Sequence, residues 1–173
     1  DVTATVDQLS LIASSIMSKK LASGSDAIVL DVKTGNGAFM KTLDDSVALA
    51  KEMVSIGTMA GKKMAAVITD MDQPLGLAVG NSVEVIEAID TLRGKGPADL
   101  KEVVFALGGQ MLQLAGRAES QSEAEKLMQE VIDNGKALEK FAEFVRAQGG
   151  DPAPVYDTGL FEKAPYTLSL IHI

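Results

Sequence analysis

Two short apolar segments separated by a helical pattern place the strongest limit on what this chain can fold into. They are AIVLDV at residues 27–32 and KMAAVITDM at residues 63–71. Both contain β-branched residues and are bounded by turn formers, which is typical of buried strands in a parallel sheet. Between them, Thr42 and Asp45 resemble a helix-capping box, and an apolar stripe continues to about Gly57. A strand, a helix and a strand at this spacing predict a parallel crossover unit, and therefore an α/β fold.

Helical patterns lie on both sides of this unit. A first helix is predicted over residues 6–22 and another over residues 82–92. Pro97 suits the first turn of the next helix. The buried face of that helix is predicted to contain Leu100, Val103, Val104, Leu107, Met111 and Leu114. Its glycine pair, Gly108 and Gly109, costs helix propensity and predicts close packing against another helix.

The C-terminal helical pattern is predicted to begin at a capping box formed by Ser122 and Glu125. Asn134 and Gly135 are expected to interrupt it, because both residues favour the end of a helix. Two acidic pairs lie near the elements of the crossover unit: Asp44 and Asp45 follow the first capping residue, and Asp70 and Asp72 lie at the end of the second strand. Helix-start chemistry explains the pair that follows Thr42, and turn formation is the simpler explanation of the strand-end aspartates near residue 71.

Composition narrows the functional classes. The 173 residues suffice for one domain with a core, or for one domain and part of another. The formal charge of −8 and the lack of a Lys and Arg cluster argue against nucleic acid, because phosphate-backbone binding needs a concentrated basic face. The sequence contains no run of about 18 apolar residues, so no membrane-spanning helix is predicted. We therefore expect no nucleic-acid partner and no membrane partner, and the acidic composition favours a cytoplasmic protein.

The residue types exclude several kinds of catalytic site. The sequence has no cysteine, so no disulfide, thiolate nucleophile or zinc–thiolate site is expected. Its one histidine, His172, lies in the terminal segment YTLSLIHI, where a Ser–His–Asp triad is not expected. The chain opens with Asp1 rather than Met, and its last residues form a strand-like tail. Both ends are therefore expected to be interruptions of a longer chain, or the tail to be translated vector sequence.

A row on the first predicted helix is the first candidate site. Ile12, Ser15 and Lys19 share this row because a helix repeats every 3.6 residues. An apolar surface, a hydroxyl and a cation that point the same way could bind a ligand. A solvated edge, with the lysine stem laid over the apolar flank, is the alternative that spacing alone favours.

Two loops at the carboxyl ends of the predicted strands are the other candidates. TGNGAF at residues 34–39 could bring the backbone close to a phosphate, but it lacks the full dinucleotide or Walker pattern, and a structural turn is favoured. DQPLGLAVGN at residues 72–81 exposes backbone carbonyls, and Glu87 follows in the next helix. Carbonyls and a carboxylate could bind a hard cation, and an ordinary solvated glutamate is the alternative.

Three long segments carry a resemblance to a known family. They are DVTATVDQLSLIASSIMSKKLASGSDAIVLDVKTGNGAFMKTLDDSVALAKEM, AVITDMDQPLGLAVGNSVEVIEAI and GKALEKFAEFVRAQGGD. Together they closely resemble the middle of the pyrimidine-nucleoside phosphorylases, the family that includes thymidine phosphorylase. The likeness extends from Asp1 to about Pro165.

The resemblance implies a domain organisation. Members of the family have a small helical domain, a larger α/β domain with a mostly parallel sheet and a C-terminal α+β domain, and they are usually homodimers. Residues 1–25 would be the last helical segment of the small all-α domain. Residues 26–164 would be the second half of the α/β sheet domain. Residues 165–173 would be the start of a missing C-terminal domain or non-native sequence.

The resemblance also implies roles for the residues of the first candidate site. Ser15 and Lys19 match the residues that hydrogen-bond the pyrimidine and carry the catalysis. Val6, Ile12 and Phe39 match apolar residues packed around the base. This implication favours the binding surface over the solvated edge for the row on the first helix.

A potassium site is implied for the second loop. Leu75 and Ala78 match positions that give backbone carbonyls to the ion, and Glu87 matches the carboxylate that completes the site. The phosphate-binding segment of the family, its active-site histidine and a base-binding arginine correspond to positions before Asp1. The isolated chain is therefore expected to be inactive.

The implied activity is phosphorolysis of pyrimidine nucleosides such as uridine, thymidine and deoxyuridine. Its products are the free base and (deoxy)ribose 1-phosphate, with phosphate as co-substrate and no organic cofactor. A related phosphoribosyltransferase of the anthranilate type is an alternative, and the SSIMSKK and KTGNGAFMKT segments favour the nucleoside enzyme. A non-catalytic fragment is the third possibility.

Overall fold

A computed structural model describes residues 6–170 and shows an α/β fold. Its elements, in chain order, are α1 (Leu9–Ala22), β1 (Ala27–Thr34), α2 (Leu43–Met59), β2 (Lys63–Asp70), α3 (Asn81–Leu92), α4 (Ala98–Leu114), α5 (Gln121–Asp133), α6 (Lys136–Ala147) and α7 (Ala153–Tyr156), followed by a 3₁₀ turn at Thr158–Leu160. The chain divides into two compact units. The first consists of Asp1–Leu77 and Pro97–Glu130, and the second of Ala78–Gly96 and Val131–Ile173.

The predicted crossover unit is confirmed in the first unit. β1 and β2 pair in parallel, with Ala27 opposite Lys63 and Thr34 opposite Asp70. α2 connects them, and the Thr42 hydroxyl caps this helix by accepting a hydrogen bond from the Asp45 N–H at 3.2 Å. Local sequence signals therefore specify this part of the fold.

One face of the sheet forms a hydrophobic core with α1 and α2. The buried members of this core are Ala13 and Met17 from α1, Ile28, Leu30 and Val32 from β1, and Leu49, Ala50 and Met53 from α2. Burial of one such large aliphatic side chain contributes about 1.5–3 kcal/mol. α1 is thus fixed against the strand–helix pair by its Ala13 and Met17 side.

The opposite face of the sheet carries a polar network. Lys33 forms an ion pair with Asp31 at 2.7 Å and donates a hydrogen bond to the Thr69 hydroxyl at 2.9 Å. Thr69 in turn donates to Asp31 at 2.5 Å. Both strands were predicted to be buried, yet β2 is only half-buried along most of its length. In a two-stranded sheet each strand is an edge, so β2 has no neighbouring strand on one side within the described residues.

The α4–α5 pair confirms one prediction and corrects two others. A Cβ atom at Gly108 would lie 2.5 Å from the terminal methyl of Met128, so the glycine pair does permit close packing with α5. Val104 and Met111, predicted to be buried, are 40% and 55% exposed. The other four, Leu100, Val103, Leu107 and Leu114, are half-buried, so the face predicted to be buried is only partly covered.

The other correction concerns the start of α5. Ser120, not Ser122, caps this helix by accepting a hydrogen bond from the Glu123 N–H at 3.2 Å. Glu123 accepts from the N–H of Glu119, the residue before the cap, at 2.8 Å, so the helix start lies two residues earlier than predicted and lacks the reciprocal bond of a capping box. The interruption at Asn134 is confirmed, since Gly135 has φ +80° and α6 begins at the next residue.

The second unit is held together at both of its chain segments. The Arg93 guanidinium donates hydrogen bonds to the carbonyls of Val155 at 3.0 Å and Tyr156 at 2.8 Å, which joins α3 to α7. Ile89 on α3 and Ala142 on α6 are fully buried. The predicted domain boundaries after residues 25 and 164 stay predictions.

Of the helices within residues 6–170, none has the length and apolar character needed to cross a membrane. Asp1, His172 and the last residues of the predicted tail lie outside the described residues.

Candidate functional site

Ser15 and Lys19 contact each other on the exposed side of α1. Both are exposed, and the Lys19 ammonium donates a hydrogen bond to the Ser15 hydroxyl at 3.4 Å. Ala13 and Met17, on the opposite side of the helix, are fully buried in the core, and this packing fixes the helix that carries the pair. The arrangement predicted from the helical row is therefore present.

The chemistry of this pair follows from its donors. In the contact Lys19 is the donor, so the Ser15 hydroxyl keeps its own proton to donate, and the ammonium keeps two further N–H bonds. A cation and a neutral donor on one exposed surface suit an oxygen atom that gains negative charge.

The apolar residues assigned to the same site have different surroundings. Ile12 is half-buried and packs against the core cluster, so only part of its side chain is accessible. Val6 lies in a turn before α1 and is 42% exposed. Phe39 lies in the loop after β1, and its side chain is 73% exposed. All three belong to the first unit.

The glycine-containing loop after β1 is a structural turn. The four backbone N–H groups of residues 35–38 all have partners within the protein. These partners are, in order, the Met40 carbonyl at 3.1 Å, the Asp72 carboxylate at 2.8 Å, the Met71 carbonyl at 2.9 Å and the Gly35 carbonyl at 3.1 Å. A phosphate site would need such N–H groups to point at the ligand, so the loop has the features of the favoured alternative.

The second candidate loop has contacts in both units. In the first unit Leu75 is 38% exposed, and the neighbouring Gly76 N–H donates to the Asp99 carboxylate at 2.9 Å. This hydrogen bond lowers the pKa of Asp99 below its ordinary value of 3.8. In the second unit the Ala78 N–H donates to the Glu87 carboxylate at 3.1 Å.

The described residues contain no grouping of three or more His, Cys, Asp or Glu side chains that could hold a metal ion. The predicted potassium site relies on backbone carbonyls and one carboxylate, so this finding does not test it. Its assignment to Leu75, Ala78 and Glu87 stays a prediction.

Sequence reasoning missed a cavity in the first unit. It has a volume of about 390 Å³ and lies between β2, the loop that follows it and α4. Its polar lining includes Thr69, Asp70, Asp99 and Glu102. Acidic residues are common near the start of a helix, where they interact favourably with the helix dipole. Those of α4 therefore gave no local signal of a cavity.

The comparison with known proteins decides the family. A family profile described as "Glycosyl transferase family, a/b domain" matches residues 1–138. The chain belongs to this glycosyl transferase family.

This glycosyl transferase chain is similar to curated phosphorylases over nearly its whole length. It is 60% identical over 168 residues to the pyrimidine-nucleoside phosphorylase of Staphylococcus haemolyticus, covering 97% of this chain and 39% of the relative. It is 57% identical over 170 residues to the enzyme of the same name from Bacillus subtilis, covering 98% and 39%. The resemblance inferred from the three sequence segments is confirmed, and the chain spans 39% of the length of these relatives.

Proposed function

We propose that this chain supplies the base-binding part of a pyrimidine-nucleoside phosphorylase. The Ser15–Lys19 contact carries the proposal, because it pairs a cation with a hydroxyl donor on an exposed and well-supported surface. The similarity to relatives named pyrimidine-nucleoside phosphorylase supports it.

In the proposed reaction, an oxygen of inorganic phosphate attacks the anomeric carbon of the sugar while the bond from that carbon to N1 of the base breaks. The electron pair of the broken bond leaves with the base, which then takes up a proton. The products are the free base and (deoxy)ribose 1-phosphate. Phosphate is the co-substrate, and the proposal requires no organic cofactor.

The proposed roles of Lys19 and Ser15 follow from the charge that develops in this step. The departing base gathers negative charge on the carbonyl oxygens attached to its ring. An ammonium and a hydroxyl aimed at those oxygens stabilise the transition state more than the neutral nucleoside. Catalysis then depends on these donors being in place before the reaction begins.

Val6, Ile12 and Phe39 are proposed to pack around the base. An apolar surface orients a flat ring and excludes water from it, which strengthens the nearby charge interactions. The exposed Phe39 side chain is suited to this role because most of its surface is not already covered.

We further propose a potassium ion near Leu75, Ala78 and Glu87, and a cytoplasmic homodimer. The resemblance supports both parts, and the acidic charge of −8 is in keeping with a cytoplasmic enzyme. Within the second unit, the Glu87 carboxylate accepts the Ala78 N–H, so it lies beside the backbone of one of the residues proposed as ligands.

A chimaera tests the proposed activity. In it, the 170 matched residues of this chain replace the corresponding segment of the Bacillus subtilis relative. We expect phosphate-dependent release of uracil from uridine, with the unmodified relative as the control. If a folded chimaera instead consumed anthranilate and phosphoribosyl pyrophosphate, the phosphoribosyltransferase alternative would replace this proposal. A folded chimaera that lacks both activities would favour the non-catalytic alternative.

A further inference from the structure

The loop that carries Phe39 is held by two charged side chains of opposite sign. The Asp72 carboxylate accepts a hydrogen bond from the Asn36 N–H at 2.8 Å. The Lys41 ammonium donates to the carbonyl of Asn36 at 2.9 Å and to that of Ala38 at 2.7 Å. Asn36 is therefore fixed through both its N–H and its carbonyl, three residues before Phe39.

The position of Asp72 is itself fixed by the end of β2. The Asp72 N–H donates to the Asp70 carboxylate at 2.9 Å, and the preceding Met71 N–H donates to the Thr34 carbonyl at 2.7 Å. Gly35, with φ +112°, leaves room for the carboxylate, since a Cβ atom there would lie 2.5 Å from its Oδ1. The carboxylate thus enters the turn where only a glycine permits it.

The ring of Phe39 has no comparable support. Because Phe39 is 73% exposed, packing around the ring contributes little to its position, and the loop backbone contributes most. Hydrogen bonds to a carboxylate or from an ammonium are about twice as strong as neutral ones. The charged contacts at Asn36 are therefore well suited to holding the loop in one conformation.

We propose that Asp72 and Lys41 are positioning residues that fix Phe39 for the pyrimidine ring. Both residues act through the loop backbone and contact neither the base nor phosphate. The inference rests on the proposed function, in which Phe39 packs against the base. It adds two charged residues that the resemblance does not assign.

The test uses the chimaera and separates the two substrates. Asp72→Ala should raise KM for uridine about tenfold, because a small displacement of a positioning group is costly. KM for phosphate should stay within about twofold of its original value. Asp72→Asn should restore most of the uridine KM, since its amide oxygen still accepts the Asn36 N–H. Lys41→Met, which removes the donor and keeps the chain length, should act in the same direction as Asp72→Ala.

Phe39→Ala provides the decisive comparison. If Asp72 acts through Phe39, then Asp72→Ala adds nothing to the uridine KM of a Phe39→Ala chimaera. Asp26→Ala, at the other end of β1, removes an exposed carboxylate and should leave both KM values unchanged. If Asp72→Ala fails to fold, Asp72→Ser takes its place.

The outcomes distinguish this inference from the proposed function. A chimaera without phosphorolysis, or a Phe39→Ala variant with unchanged uridine KM, would overturn the role proposed for Phe39 and the inference with it. A raised uridine KM in Phe39→Ala together with an unchanged one in Asp72→Ala would overturn the inference alone. Equal effects of Asp72→Ala with and without Phe39 would also overturn it, because the carboxylate would then act by another route.

Discussion

Ser15 and Lys19 project from the side of α1 opposite to Ala13 and Met17, which carry the packing of the helix. The proposed catalytic side chains and the packing side chains therefore lie on different sides of this helix. A substitution at either exposed residue should change catalysis and leave the core untouched.

Ser15→Ala is predicted to lower kcat/KM for uridine in the chimaera, by less than the loss of Lys19 does. A neutral hydroxyl contributes a weaker hydrogen bond than a charged donor, typically about 0.5–1.5 kcal/mol. Melting temperature should change little. A Ser15→Ala variant with a larger loss than Lys19→Ala would show that the hydroxyl, not the cation, faces the developing charge.

The stabilisation that the Asp99 carboxylate contributes at the start of α4 is predicted to depend on pH. Its pKa is lowered chiefly by the hydrogen bond from the Gly76 N–H, so the ionised form is the one that the fold stabilises. This contribution is present above the ordinary pKa of 3.8 and is lost as the pH falls through the lowered value. Nuclear magnetic resonance titration of the Asp99 carboxyl should give a midpoint below 3.8. A midpoint at or above that value would contradict the Gly76 contact.

At the scale of elements, the α4–α5 contact offers a matched pair of substitutions. At Gly108 a new Cβ meets the flexible end of Met128, which can move aside. At Gly109 it meets the Gln121 amide, which donates to the Phe105 carbonyl at 3.0 Å and accepts from Gln113 at 3.3 Å. Displacing that amide breaks hydrogen bonds at a half-buried position.

Gly109→Ala is therefore predicted to lower the free energy of unfolding by about 1–3 kcal/mol, because lost hydrogen bonds outweigh the gain in helix propensity. Gly108→Ala should change the free energy of unfolding by less than about 1 kcal/mol. The gain in helix propensity is opposed only by the small cost of moving the Met128 methyl aside. Urea unfolding of the two variants measures the difference. Equal values would mean that the Gln121 amide does not depend on the glycine.

The sequence signals that succeeded were local. The Thr42 cap, the strand pattern from Ala27 and the four-residue spacing of Ser15 and Lys19 each depend on neighbours along the chain. These are the parts of the fold and of the candidate site that could be predicted. Spacing alone did not choose between a solvated edge and a binding surface, because both place the same side chains outside the core.

The features that were missed depend on contacts between distant residues. Asp72 meets the Asn36 backbone only because the parallel register aligns the ends of the two strands. The Asp31–Lys33–Thr69 network has the same origin. The exposure of Met111 depends on which flank of α4 is covered, and a helical stripe in a sequence does not contain that information.

At the scale of the whole molecule, the proposed cation predicts a dependence on potassium. Replacing potassium with a bulky organic cation should lower both the activity and the melting temperature of the chimaera, because a larger ion does not fit carbonyl ligands. Glu87→Gln should raise the potassium concentration needed for half of the maximal activity, since the amide keeps an acceptor and loses the charge. Unchanged activity and melting temperature without potassium would refute the site.

The central claim is that Lys19 faces the departing base in a pyrimidine-nucleoside phosphorylase. The measurement that tests it most directly is kcat/KM for uridine in the chimaera with and without Lys19→Ala. Loss of one preorganised charged donor should cost about 2–4 kcal/mol of transition-state stabilisation, with an unchanged melting temperature. Wild-type kcat/KM in a folded Lys19→Ala chimaera would contradict the claim, and the row on α1 would then be only a solvated edge.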